Sequence, residues 1–292
     1  MTKRLKNNQI GLTLVLSILC ALVLIPFLIV VSISFSDETR IVYEGYGLFP
    51  RGFTLSAYKF ALKDPTSVLN AYKVTFSFSV ISMVLSVLLM AMLAFGLSKK
   101  NLRGKNIMSF YVYFTMLFGG GLVPTYILMT QYLHLGNTFL VYIIRGLISP
   151  WYVFMMRTFF QGVPYEITES AVVDGASEYT IFFRMILPLS KPVLATVALF
   201  MFLGKWNDWY TCMLYINDES LISLQYLLQR IMLNIQLLQE DIMNSSNIPL
   251  EDIPSETVRM AMAIIVAGPA LLVFPFFQKY FVKGLTVGSV KG

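Results

Sequence analysis

Across 292 residues the chain is 57% hydrophobic and 13% charged, with a mean hydropathy of +0.69, whereas soluble domains carry about 25% charged residues. Such a composition excludes a soluble enzyme and defines an integral membrane protein. The net charge of +6 needs no nucleic-acid partner, because the way the charges are distributed accounts for it as a membrane-topology signal.

A hydrocarbon core takes roughly 20 helical residues to cross, and six apolar stretches reach that length: residues 10–34, 72–97, 107–132, 138–160, 193–215 and 257–281. The first follows Lys3, Arg4 and Lys6. Its apolar run exceeds the roughly 7–15 residues of a signal-peptide core and closes on no small-residue cleavage site, so a retained spanning helix is expected. An outer loop, about 35–71, follows with Gly45, Gly47, Pro50, Gly52 and Pro65 as turn formers, and Thr54-Leu55-Ser56 predicts the start of a short helix. After the second span comes a short basic connection, Lys99 to Lys105.

The third span is interrupted by Gly119, Gly120 and Gly121 ahead of Pro124. These glycines mark either a helix broken where it lines a cavity or a seam of close helix packing. The fourth span contains Arg145, a charge that costs about 2.5–3.5 kcal/mol at bilayer depth and must face protein or water.

Residues 161–193 are different in kind, a polar, acid-bearing loop in an apolar chain. Pro164 suits a helix start, Glu166 and Glu169 favour the N-terminal end of the dipole, and Gly175 after Asp174 is expected to turn the chain. A second short helix, 178–186, is expected to stop before Leu187-Pro188.

In the fifth span Lys205 and Asp208 stand three residues apart, which predicts a shared helix face and partial mutual neutralisation. Trp206, Trp209, Tyr210 and Asn207 surround them. The group reads either as an outer interfacial belt or as aromatic faces and polar groups placed for a ligand. The second large outer loop, about 216–256, opens with Leu221, Leu224, Leu228, Ile231, Ile235 and Leu238 at alternating steps of three and four, one apolar stripe on an amphipathic helix. Cys20 and Cys212, the only cysteines, have no neighbours that support a disulfide or a metal site.

With both termini on the cytoplasmic side, the inner segments hold thirteen basic residues against four acids, and the outer segments seven against eleven. Lys and Arg favour the cytoplasmic face, so a multi-pass protein of the cell membrane with both termini inside is expected. The 161–193 loop is then cytoplasmic.

That loop resembles the EAA loop of ABC-importer permease subunits, whose pattern is Glu-Ala-Ala, three residues, Gly, nine residues, Ile, one residue, Leu-Pro. Glu169, Ala171, Gly175, Leu187 and Pro188 match at that spacing, while Ser170 and Met185 stand where the family has Ala and Ile. Asp174-Gly175-Ala176, Pro188, Pro192 and Trp206-Asn207-Asp208 are similar to the carbohydrate branch. Phe118 to Pro124 and Tyr280 to Gly288 resemble its subgroup assigned to complex oligosaccharides and lipoprotein-linked polysaccharide uptake.

The resemblance spans essentially the whole chain. It implies an all-α polytopic fold of six transmembrane helices, the type I importer permease, as one transmembrane domain over residues 1–292. It implies that Glu169, Ser170, Ala171, Asp174, Gly175, Ala176, Leu187 and Pro188 form a coupling helix in the groove of a cytoplasmic ATPase. A second homologous permease, two ATPase copies and an external solute-binding protein are the implied partners, with sugar as cargo and membrane lipid around the helices. Arg145, Lys205, Asn207, Asp208 and Gly119 to Gly121 are candidates for the solute path.

The chain contains no Gly-x-x-x-x-Gly-Lys-Ser/Thr, so it is not expected to be an enzyme or to hold a cofactor or metal; ATP and Mg belong to the partner ATPase. A peptide or amino-acid importer remains the rival for cargo. A self-contained secondary transporter calls for inverted repeats and an ion site, and neither is legible.

Overall fold

The computed structural model describes the backbone of residues 2–245 and 255–288. The side chains of Lys3, Arg4, Lys6 and Leu238, the 246–254 part of the second outer loop and the side chains of the 280–288 ending lie outside the described residues. All regular structure described is helical, in chain order α1 (Thr2–Ser34), α2 (Glu38–Glu44), α3 (Ser56–Ala61), α4 (Pro65–Ser98) and α5 (Lys105–Leu117). Then come α6 (Leu122–Tyr132), α7 (Leu140–Ile144), α8 (Pro150–Gln161), α9 (Tyr165–Val173) and α10 (Glu178–Leu189). The last are α11 (Lys191–Trp206), α12 (Tyr210–Tyr215), α13 (Leu224–Ser245) and α14 (Glu256–Gly288).

The chain divides into two compact units, residues 1–68 with 228–269 and residues 69–227 with 270–292. In the first, α1 exposes its leucines, isoleucines and valines from Leu12 to Leu28 and buries Ser32, Ile33 and Ser34 at its end. The exposed run suits lipid, in which a helix satisfies its own backbone. The outer loop that follows is built by hydrogen bonds from Asp37 N–H to Arg51 C=O at 2.9 Å and from Thr54 N–H to Phe35 C=O at 2.9 Å. Phe35 stacks on Phe53 with ring centroids 5.7 Å apart. The short helix predicted from Thr54-Leu55-Ser56 is α3. Glu38 reaches across 219 residues of sequence to cap α14, accepting from the N–H groups of Ser255, Glu256 and Thr257 at 3.2, 3.0 and 2.9 Å and from the Thr257 hydroxyl at 2.6 Å. One carboxylate thereby satisfies N–H groups that a helix start leaves without intrahelical partners.

Among its described residues the second unit has two apolar cores. One joins Met90, Ala94 and Leu97 of α4, Val153, Met156 and Phe160 of α8, Ala171 of α9, Ile181 and Ile186 of α10, and Val197 of α11. The other surrounds Tyr142 of α7, whose ring lies on Phe78 of α4 at 4.3 Å and 3°.

Three helices among the described residues are long and apolar enough to cross a membrane: Gly11–Ser34, Pro65–Ser98 and Glu256–Pro275. Two bent pairs raise the number to five if each is one crossing: α5 with α6, turned by 111°, and α10 with α11, turned by 82°. The first bend is the Gly119–Gly121 break expected from sequence. Gly121 sits at φ +84°, ψ −178°, a region open essentially to glycine alone. A Cβ added at Gly119 or Gly121 would meet nothing within 4 Å, so within this chain the glycines serve the break and not a packing seam.

The 138–160 stretch differs from the single helix expected. It forms α7 and α8 with a break between them, where Arg145 is extended, Gly146 is at φ +72° and Ser149 precedes Pro150. Left-handed glycine ends a helix, and a residue before proline is pushed out of the helical region. The 193–215 stretch is likewise divided, α11 ending at Trp206 and α12 starting at Tyr210.

Candidate functional site

The polar loop is two helices joined by a hydrogen-bonded turn. At the end of α9, Gly175 is at φ +77°, its N–H donates to Val172 C=O at 3.0 Å, and Ala176 N–H donates to Ala171 C=O at 2.9 Å. This pair of bonds closes a helix on a left-handed residue, with an apolar contact between the first residue past the turn and the last helical turn. Ala171 is buried and Ala176 packs against the same core. The spacing of Ala171, Gly175 and Ala176 therefore has a local physical cause, since each fills one position of a single helix-ending motif. Ser177 then starts α10, its hydroxyl oxygen accepting from Thr180 N–H at 3.2 Å.

Glu169 and Ser170 of α9 and Asp174 at its end stand exposed, as do Val172 and Val173 of α9 and Tyr179 of α10. Ser170 turns its hydroxyl back to Glu166 C=O at 2.8 Å. The opposite face is anchored to the ends of α4, α8 and α11 through the first apolar core. Lys99, just past α4, forms an ion pair with Glu178, and Lys100 lies 5.0 Å from the centre of the Tyr165 ring. These basic contacts were not anticipated from sequence; only the basic run at 99–105 hinted at them.

Helix α10 runs on through Leu187 and Pro188 to Leu189, where sequence reading stopped it at Ile186. A π-turn over Phe182–Ile186 makes the extension possible, Leu187 N–H bonding to Phe182 C=O. Proline has no N–H and clashes with the carbonyl four residues back, and the widened turn accommodates that lesion inside the helix. The 82° bend follows immediately at Ser190.

The second constellation lies around the break between α7 and α8. Lys205 is buried and donates to the C=O groups of Tyr142 at 2.5 Å and Arg145 at 2.6 Å, covering acceptors that the end of α7 leaves open. Arg145 donates to the Thr211 hydroxyl at 2.7 Å and lies 5.6 Å from the Tyr210 ring centre. Asp208 lies beyond the end of α11, so it does not share a helix face with Lys205 as the spacing predicted. It caps α12 instead, accepting from Thr211 N–H at 2.9 Å and from the Thr211 hydroxyl at 2.6 Å. The helix ends because Asn207 and Asp208 both favour such local turns.

Arg145, Lys205 and Asp208 line one cleft of about 440 Å³, with Tyr152 and Phe200 as an aromatic wall and glycines at positions 146 and 204. Asn207 turns away, donating to Leu203 C=O and accepting from the Gln225 side chain, each at 2.9 Å. Gly119 to Gly121 lie outside this lining. Thr211, Tyr152 and Phe200 were not singled out from sequence, where nothing distinguishes them from other residues of apolar spans.

Broken apolar helices with a packed, polar helical loop between them fit a membrane transport subunit. The chain belongs to the family of binding-protein-dependent transport system inner membrane components, which it matches over residues 71–287. It is 37% identical to protein LplC of Bacillus subtilis strain 168, over 93% of this chain and 90% of that protein. With the polygalacturonan/rhamnogalacturonan transport system permease protein YtcP of the same organism it shares 35% identity, over 97% of this chain and 96% of that one. Among solved structures, a chain of a bacterial ABC transporter involved in import of the acidic polysaccharide alginate superimposes with a TM-score of 0.79 at 26% identity, covering 94% of this chain and 97% of that one. The protein is an ABC transporter permease subunit, a multi-pass membrane component and not an enzyme.

Proposed function

We propose that this chain is the membrane subunit through which a separate ATPase drives import of a sugar, an oligosaccharide in particular. The observation that carries the reading is the α9–α10 loop, exposed and acid-bearing on one face and packed into the ends of three helices on the other. A partner that grips Glu169 and the Val172–Val173 edge can move α4, α8 and α11 as a set, since close-packed interiors transmit displacement with little give. Ser170, Asp174, Gly175 and Ala176 shape that edge, and Leu187 and Pro188 carry the motion into the bend ahead of α11.

The assembly we propose holds a second homologous permease, two ATPase copies that bind ATP and Mg, and an external solute-binding protein. Residues 1–292 then act as one transmembrane domain of six crossings, with α7–α8 supplying the crossing that is neither a long helix nor a bent pair. The excess of Lys and Arg in the inner segments supports cytoplasmic termini. Sugar is preferred over peptide as cargo because YtcP and the alginate transporter are named for saccharides.

The test is uptake of labelled oligosaccharides into proteoliposomes that contain the full complex. It should require ATP and the binding protein, and Glu169→Lys should abolish it while leaving the subunit inserted. Full uptake by Glu169→Lys, or uptake without ATP, would refute the reading.

A further inference from the structure

We infer that the cleft at the α7–α8 break is a subsite for the carboxylate of an acidic sugar residue, a uronate. This rests on the sugar-importer reading above and names the class of sugar.

Its charged lining is Arg145, Lys205 and Asp208, two cations to one anion in a place where uncompensated charge is expensive. The anion is joined to Arg145 through Thr211, whose hydroxyl accepts from the guanidinium and donates to Asp208 while its N–H donates to the other carboxylate oxygen; Asp208 thus offsets one of the two cations and leaves one positive charge over. Lys205 is tied to two carbonyls of the α7 end and acts as a fixed positive charge. A guanidinium carries five N–H donors in a planar fork suited to a carboxylate, and Thr211 takes one of them. Tyr210 beside the guanidinium and Thr211 beneath it hold the group in place, so little side-chain freedom is lost when an anion arrives.

The rest of the lining fits a sugar ring. Tyr152 and Phe200 lie nearly parallel, 8° apart with centroids at 6.3 Å, and give an apolar face for C–H groups, while Gly146 and Gly204 leave room where side chains would stand. The volume of about 440 Å³ falls within the roughly 300–1,000 Å³ of small-molecule sites. A neutral sugar would use the same wall and leave the excess positive charge unmatched.

The experiment compares a galacturonate trimer with its methyl ester, equal in ring structure and lacking the charge. Uptake by the full complex in proteoliposomes is measured at saturating, fully loaded binding protein, so that protein's own affinity does not enter. Wild type should import the acid faster than the ester by about ten-fold, the scale of a charge-assisted bond. Arg145→Gln should bring the ratio toward one, and Arg145→Lys should hold it between the two. A wild-type ratio of one or below, or a ratio unchanged in Arg145→Gln, overturns the subsite; should neither variant assemble, the wild-type ratio decides. Import of the ester alone, or of neither saccharide, overturns the subsite and leaves the sugar importer standing, which is tested separately by ATP-dependent uptake of other labelled oligosaccharides.

Discussion

Gly175 offers the sharpest test of the loop, because its cost can be worked out from backbone alone. It sits at φ +77°, and a Cβ there would meet nothing within 4 Å. No clash contributes, and the penalty is that of placing an L-residue in the left-handed region, about 1–2 kcal/mol. That corresponds to roughly a 5- to 30-fold fall in the population of the closed turn. The turn is local to residues 171–176, so the subunit should still insert and assemble. Asn is the mildest replacement, since its side chain tolerates this conformation; Ala takes the full penalty and β-branched Val exceeds it. Binding-protein-stimulated ATP hydrolysis in proteoliposomes should therefore fall in the order Gly, Asn, Ala, Val. Membrane content of the subunit, measured alongside, should stay level. Equal stimulation in Gly175→Val and Gly175→Asn would refute the reasoning, because tolerance of the left-handed conformation would then make no difference.

Three further outcomes follow from contacts outside the membrane. The Lys99–Glu178 pair is partly exposed, 31% and 60% on its two side chains, so it contributes at most about 0.2–1 kcal/mol. Lys99→Glu should weaken stimulated hydrolysis at low salt, the exchange Lys99→Glu with Glu178→Lys should restore it, and high salt should erase the difference. Asp64 precedes α4 and accepts from the Ser67 hydroxyl at 2.5 Å, the Thr66 hydroxyl at 2.6 Å and Ser67 N–H. These bonds, Ser67 foremost, hold its carboxyl at about 2, below the ordinary 3.8. Because the folded value is depressed, the cap is intact above 3.8 and lost as pH falls toward about 2. Amide exchange at the start of α4 should speed up across that window, and Asp64→Ala should remove the pH dependence. Glu38→Ala leaves the start of α14 uncapped at a cost of about 1–3 kcal/mol, to be read as faster amide exchange at residues 255–258 and a lower melting temperature; an unchanged exchange rate would contradict the capping geometry.

The loop was legible because its signals are local. Gly175 after Asp174, Pro164 ahead of an acid-bearing turn and Leu187-Pro188 each act within a few residues, and local backbone chemistry is what a sequence displays directly. The length of α10 was misjudged since proline normally ends a helix, and the compensating π-turn at Phe182–Ile186 has no composition of its own. Hydropathy located the apolar stretches but not their breaks: residues 138–160 stay apolar on average while Gly146 and Pro150 divide them. For the cleft, sequence supplied Arg145, Lys205 and Asp208 as costly charges and put Lys205 and Asp208 close together, as their shared cleft does, but on one continuous helix. Lys205 and Asp208 share a face only if the helix continues, and it ends at Trp206. The long-range partner, the end of α7 some 60 residues away, has no trace in local pattern.

The break between α7 and α8 and the bend between α10 and α11 bear on the same helix. Helix α11 begins at the 82° turn that follows α10 and ends at Lys205 and Trp206, where Lys205 holds the last carbonyls of α7. A rigid helix of 16 residues spans about 24 Å at 1.5 Å per residue. A small tilt imposed at its loop end must therefore displace Lys205, and with it the hydrogen bonds that fix the position of Arg145. In the mechanism proposed above, the ATP-driven movement and the charged cleft would be two ends of one lever, and release of a bound sugar would follow from shifting the Arg145 carbonyl and guanidinium together. A flexible connection at either end would waste the stroke. The tight turn at Ser190 and the paired bonds of Lys205 are the two places where the chain prevents it.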